Sequence, residues 1–211
     1  MIKKPNEEVV NEQDQDDEHE ESVIRINPLD YIVYIVGEIT LQTAVAATQQ
    51  MVALDKINNM TNNFHPITMI INSGGGSINA AWQICDVMDY ITTPVYTTGL
   101  GQIASAALMI FMNGEPGKRV VTEKTSIMSH LYSWGAAGGH NNLISVNKEF
   151  KSTYDRMLAH YMNCTGLRKK EIEKELLAEH DIWLTAQEAL KFNIADEVIP
   201  NKNKKHKKGK K

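Results

Sequence analysis

The feature that most restricts this chain is a buried apolar run that empties straight into glycines. Ile67–Ile71 leads into Asn72-Ser73-Gly74-Gly75-Gly76-Ser77, and a helix-forming stretch begins at Ile78. A run rich in β-branched residues suits a strand covered on both faces, and such strands belong to parallel sheets with helical crossovers. The pattern recurs along the chain. Tyr31–Val36, ended by Gly37, reads as an earlier strand of the same kind, buried on both faces. Leu41–Asn58 reads as a helix turned inward through Ala44, Val45, Thr48, Val52 and Leu54. The helix from Ile78 to Ile91 sets Ala81, Cys85, Met88 and Ile91 on one face and stops before Pro94. Val95–Thr98 is a further strand, after which Gly99-Leu-Gly-Gln-Ile-Ala-Ser105 opens an apolar helix with the serine in its first turn.

Arg119–Thr122 and Ser126–Ser129 read as short strands. A long helix over about 142–164 carries Leu143, Val146, Phe150, Met157, Leu158 and Tyr161, an apolar stripe that must meet something and is read as an interface. A short helix near Arg168–Ala178 follows. Thr185-Ala-Gln-Glu188 has the form of a capping box opening another helix, and Ala195–Ile199 is a last strand. The expectation is a single α/β domain over residues 23–200.

A chain of 211 residues, 42% hydrophobic and 23% charged, buries roughly 70% of its unfolded surface and needs no disulfide or metal to hold it. Its ends differ from its middle. Residues 1–22 set two lysines against nine acids, and residues 202–211 hold seven lysines. Such segments cannot bury enough apolar surface to order themselves, so 1–22 and 201–211 read as disordered tails. A basic tail can touch nucleic acid or an acidic partner, but a solvated, solubilising end is the plainer reading. The longest apolar run, Ile103–Met112 around one serine, is about half a bilayer span. The acidic start has no targeting pattern. Cys85 and Cys164, far apart, make neither a disulfide framework nor a zinc site. Together these features predict a cytoplasmic protein.

Chemistry concentrates at the two glycine-rich turns. Free backbone N–H groups at a helix start suit negative charge, whether a bound phosphate or the oxyanion of acyl transfer. Gly74–Gly76 leave the backbone open to close approach by a ligand. Gly99-x-Gly101-x-x-Ala104, with Glu123 about 20 residues on, fits a dinucleotide fingerprint, although that motif normally opens the first βαβ unit. His130 follows the apolar strand Ser126–Ser129, at a strand end where open α/β sheets gather their sites, and favours acyl transfer. The other histidines lack ligand spacing, which argues against metal catalysis. Asp181, beside His180, is by itself an ordinary loop acid.

Ile71-Asn-Ser-Gly-Gly-Gly-Ser77, Gly101-Gln-Ile-Ala-Ser105, Lys118-Arg119, Met128-Ser-His130 and Asp181-Ile-Trp-Leu-Thr-Ala-Gln-Glu-Ala189 stand in the order and at the spacing of one family. From Tyr31 to Ile199 the chain resembles the proteolytic subunits of the caseinolytic Clp proteases. That resemblance implies a crotonase-like fold of repeated β-β-α units with a protruding long helix, and a serine endopeptidase that cleaves unfolded polypeptides without cofactor or metal. It implies Ser105 as nucleophile, His130 as base and Asp181 as the acid orienting it, with oxyanion donors at the backbone N–H groups of Gly76 and Ala106. It further implies a homo-oligomer of two stacked seven-membered rings, fed by an AAA+ unfoldase, with no membrane or nucleic-acid partner. Two alternatives stand beside this reading: a non-catalytic subunit of a mixed ring, and a crotonase-like acyl-CoA enzyme. The chain departs from the family pattern at Gly74, where proline is usual, at Ala106-Ala107, where Met-Gly is usual, and in its acidic segment before Tyr31.

Overall fold

A computed structural model describes residues 30–132 and 140–202. The acidic tail lies outside these residues, as does the basic one beyond Lys202. In chain order the elements are β1 (Ile32–Ile39), α1 (Leu41–Thr61), β2 (Ile67–Gly76), α2 (Ile78–Tyr90), β3 (Val95–Ala104), α3 (Ala106–Met112), β4 (Arg119–Thr122) and β5 (Ser126–Ser129). Then come α4 (His140–Thr165), α5 (Lys169–Glu175), β6 (Ile182–Leu184), α6 (Ala186–Lys191) and β7 (Glu197–Ile199). The order β1-β2-β3-β4-β7 forms a parallel sheet.

β3 serves two partners in succession. Its first half pairs with β4 through Thr97–Gly99, and its second half pairs with β5 through Gln102–Ala104. Gly101, at φ 67°, lies between the two halves. β6 closes this branch, antiparallel to β5. Both glycine-rich segments therefore belong to strands: β2 runs on to Gly76 and β3 to Ala104, well past the apolar runs that announce them.

Helix starts follow local chemistry. The Thr40 hydroxyl accepts from the Thr43 N–H at the head of α1, and the Ser77 hydroxyl accepts from the Ala80 N–H at the head of α2. Thr185 and Glu188 make the reciprocal bonds of the expected capping box. All seven residues of α3 are buried, so this short helix sits in the core with Ile71, Ile84 and Ile103. Arg119 and Asp196 join β4 to the approach to β7, with Nη2 to Oδ1 at 2.6 Å and Nε to Oδ2 at 2.8 Å, while Nη1 donates to the Cys164 carbonyl at the end of α4. Burial pushes the Asp196 carboxyl up, but the hydrogen bonds and charge of Arg119 together outweigh it and hold the group below its ordinary value.

Three expectations are corrected here. β1 is not covered on both faces. It is an edge strand with Val33 and Ile35 buried and Tyr34 and Val36 exposed, because its apolar residues fill both pleats while only one face meets helices. In α1 the inward face is Ala44, Ala47, Thr48, Met51, Leu54 and Asn58, with Val45 and Val52 exposed; small residues meet the sheet where close approach is needed. In α4, Met157, Leu158 and Tyr161 belong to the core of this chain, whereas Ile144 stands exposed. The stripe thus divides: Met157, Leu158 and Tyr161 are packed in the core, while Val146 and Phe150 are half-buried, the Phe150 ring lying 5.4 Å from that of Tyr132.

Candidate active site

β2, β3 and β5 bring their C-terminal ends together around Ser105. This residue sits between β3 and α3 at φ 56°, ψ −124°, a conformation that costs a non-glycine residue on the order of 1–3 kcal/mol. Its surroundings impose that geometry. The Ser105 N–H donates to the Met128 carbonyl at 2.9 Å, and its own carbonyl accepts from Leu108 at 3.0 Å. The hydroxyl makes no capping bond to α3, and points instead to His130, whose Nε2 lies 2.7 Å from Oγ.

His130 directly follows β5, and Asp181 directly precedes β6. Ser129 pairs with Ile182 in the antiparallel ladder, so His130 and Asp181 are the next opposed residues. Their side chains meet with Nδ1 to Oδ1 at 3.1 Å. A carboxylate can only accept, so Nδ1 carries the proton and Nε2 faces the serine as acceptor. The Asp181 side chain is 56% exposed and that of His130 22%, so the positions of the two backbones, more than contacts around the side chains, set their separation.

Gly75 explains why β2 reaches this place. A Cβ there would lie 2.8 Å from the Ser105 Cβ and 2.9 Å from the Ala104 carbonyl oxygen, at φ +102°. Gly76, at φ +145°, presses against Ile39, whose carbonyl oxygen an added Cβ would strike. The space a side chain would need is therefore taken at Gly75 by the Ser105 turn and at Gly76 by Ile39, so these two glycines serve packing as well as access. Gly74 is different: an added Cβ would meet only the Gln102 Oε1, at 3.7 Å. Gly76 and Ala106 border a cavity of about 460 Å³ beside Ser105 and His130, with Ile78, Met109, Tyr132 and Met157 supplying apolar walls.

The dinucleotide fingerprint does not survive. Gly99 lies inside β3, opposite Ile71 and Val121, and Gly101 packs on the Asn72 side chain, whose Oδ1 accepts from the Gln102 N–H. Neither glycine opens a helix, so neither offers the N–H cluster that a pyrophosphate needs. Glu123 is engaged elsewhere, accepting from the Asn201 N–H.

Ser105, His130, Asp181, Gly76 and Ala106 are thus neighbours, as the sequence reading expected. Met109, Met157 and Tyr132 were not named for the cavity wall, and Gly75 was expected at the turn but not as a packing contact of Ser105. Met157 had a signal, its place in the α4 stripe, but that stripe pointed equally to an interface. His160, also unanticipated, reaches from α4 to donate to the Met109 carbonyl, with Nε2 at 3.0 Å. Burial holds its pKa below the ordinary imidazole value, although the Met109 bond favours the charged form.

A family model described as Clp protease matches residues 15–202, most of the chain. The chain belongs to the Clp protease family. Over 135 residues it is 38% identical to ATP-dependent Clp protease proteolytic subunit 2 of Thermobifida fusca, covering 64% of this chain and 66% of that one. It is 35% identical over 142 residues to proteolytic subunit 1 of Protochlamydia amoebophila, covering 66% and 68%, and 31% identical over 169 residues to proteolytic subunit 1 of Chlamydia abortus, covering 79% and 85%. The matched stretch thus spans about two thirds of the first two relatives. Clp membership places the chain among serine peptidases that work as oligomers with Clp ATPases, and does not favour the acyl-CoA or non-catalytic alternatives. Among the described residues, no helix is long and apolar enough to cross a membrane.

Proposed function

We propose that this chain is a serine endopeptidase subunit in which Ser105 is the nucleophile, His130 its general base and Asp181 the carboxylate that orients the imidazole. The observation that carries the reading is the continuous line Asp181 Oδ1–His130 Nδ1 and His130 Nε2–Ser105 Oγ, at 3.1 and 2.7 Å. A serine hydroxyl is a weak nucleophile until a base takes its proton, and the base needs a fixed tautomer. As Oγ bonds to the scissile carbonyl carbon, its proton passes to Nε2 and the carbonyl π electrons move to oxygen. The backbone N–H groups of Gly76 and Ala106, on either side of Ser105, receive that oxyanion. When the C–N bond breaks, the imidazolium returns its proton to the leaving amine. Water then repeats the sequence on the acyl-serine, releasing the new carboxyl end and restoring Oγ–H.

The natural substrates in this reading are unfolded polypeptides, whose side chains enter the apolar cavity walled by Met109 and Met157. The exposed Ile144 near the start of α4 supports contact with further copies of the chain, which this reading arranges as two stacked seven-membered homo-oligomeric rings. An AAA+ unfoldase feeds the enclosed chamber, in a cytoplasmic setting. No cofactor or metal takes part in this chemistry. The residues on either side of the described region read as an acidic and a basic tail.

Ser105→Ala tests the assignment. Hydrolysis of a fluorogenic peptide should fall by about 10⁴ or more, and labelling by a fluorophosphonate probe should vanish while the melting temperature holds. Wild-type turnover in this variant would remove Ser105 from the reaction.

A further inference from the structure

A buried polar relay lies directly behind the His130–Asp181 pair. Ser129, the last residue of β5, and Tyr161, on α4, are both fully buried. The Ser129 Oγ stands 2.6 Å from the Leu176 carbonyl oxygen and 2.9 Å from the Tyr161 hydroxyl. Proton counting fixes the directions. A carbonyl only accepts, so the single Ser129 proton goes to Leu176, and the Tyr161 hydroxyl must donate to Ser129. Burial pushes the Tyr161 pKa well up, so the phenol remains a donor across the working pH range.

The three groups belong to three elements, β5, α4 and the end of α5, and the bonds add a polar tie to the apolar packing of Tyr161, Ile172 and Leu176. Ser129 is adjacent to His130, and strand alternation turns its side chain to the opposite face. Leu176 ends α5, five residues before Asp181. Tyr161 anchors both to the packed half of α4. The relay therefore holds the chain leading to Asp181 against the strand end bearing His130. Since Asp181 itself is half exposed, its reach to Nδ1 depends on where these two backbones stand.

We infer that Tyr161 and Ser129 are positioning residues for the reaction, fixing the His130–Asp181 separation through the Leu176 carbonyl and tying it to α4. This rests on the catalytic roles assigned above. Neither side chain lines the substrate cavity, so their loss should act on the chemical step and not on binding.

The test uses the full chain with Ser129→Ala, Tyr161→Phe and the double variant, measuring kcat and KM on a fluorogenic peptide, fluorophosphonate labelling and thermal melting. Ser129→Ala strands both the Tyr161 donor and the Leu176 acceptor, whereas Tyr161→Phe leaves Ser129 still donating. Ser129→Ala should lower kcat by about 10- to 100-fold, the scale of a sub-ångström to 1 Å misplacement, with KM within about twofold. Tyr161→Phe should lower kcat only a few-fold. Adding Tyr161→Phe to Ser129→Ala should recover part of the lost kcat, because the stranded hydroxyl is gone. Should Ser129→Ala fail to fold, Tyr161→Phe carries the test alone. Unchanged kcat in a folded Ser129→Ala or Tyr161→Phe variant, or a loss confined to KM, overturns the inference. If wild-type Ser105 resists the probe, it is the assignment of the nucleophile that fails, and the inference falls with it.

Discussion

Substituting alanine at two adjacent glycines should have opposite consequences, and the pair isolates the reason for the glycine run. At Gly75 a methyl group would lie 2.8 Å from the Ser105 Cβ and 2.9 Å from the Ala104 carbonyl oxygen, and the residue holds φ +102°. Normal van der Waals separation at these contacts is about 3.5 Å or more, so the end of β2 and the Ser105 turn must part by roughly half an ångström or more. Neither neighbour is a flexible side-chain tip that can swing away. The backbone strain of alanine at this φ adds on the order of 1–3 kcal/mol. Ser105 is held by its N–H bond to Met128, so the displacement changes its 2.7 Å approach to His130. A shift of that size costs up to about 10²-fold in rate. Gly75→Ala should therefore lose about 10- to 100-fold in kcat/KM on a fluorogenic peptide, slow fluorophosphonate labelling in proportion, and melt several degrees lower. Gly74→Ala meets only Gln102 at 3.7 Å and should keep full activity, with stability unchanged or raised by about 0.4–1 kcal/mol through the less flexible unfolded chain. Equal activity in the two variants would refute the claim that Gly75 exists for the Ser105 turn.

Asp181→Asn should lower kcat by about 10⁴ with little change in KM, since an amide can donate to Nδ1 and stabilise the wrong tautomer; steady-state kinetics decide it. Arg119→Met should cost about 3–5 kcal/mol by leaving Asp196 partly buried without its cation, measured by urea unfolding. Because the native Asp196 pKa is lowered, its contribution is complete above the unfolded value near 3.9 and is lost as pH falls through the native value; unfolding curves between pH 6 and 3 should show this loss, and Arg119→Met should flatten it. His160 works over a higher range: its native pKa is lowered, so stability should decline as pH drops below the unfolded value of about 6.5, and His160→Gln should remove that slope. Ile144→Glu, at an exposed position near the start of α4, should dissociate the assembly without lowering the protomer's melting temperature, whereas Met157→Glu should damage the core and cavity; sedimentation velocity and melting separate the two.

The alternation of strands and helices is local information, since an apolar run ending in glycine and a capping residue carries its meaning within a few neighbours. Arg119–Thr122, Ser126–Ser129 and the capping box at Thr185 are local in this sense and stand where the sequence puts them. The blocks around Ser105, His130 and Asp181 were legible through their shared order and spacing. What the tertiary structure decided was which neighbour each residue meets. β1 and α1 carry more apolar residues than one face can use, so only packing shows that Tyr34, Val36, Val45 and Val52 face outward. The stripe on α4 is one pattern with two fates, core at Met157–Tyr161 and half-burial at Val146 and Phe150, because periodicity records hydrophobicity and not its partner. Asp181 had no local signal at all: it reaches His130, 51 positions away, through the register of β5 and β6. The glycines were visible as glycines, but only the approach of β2 to the Ser105 turn and to Ile39 reveals that Gly75 and Gly76 have no room for a side chain whereas Gly74 does.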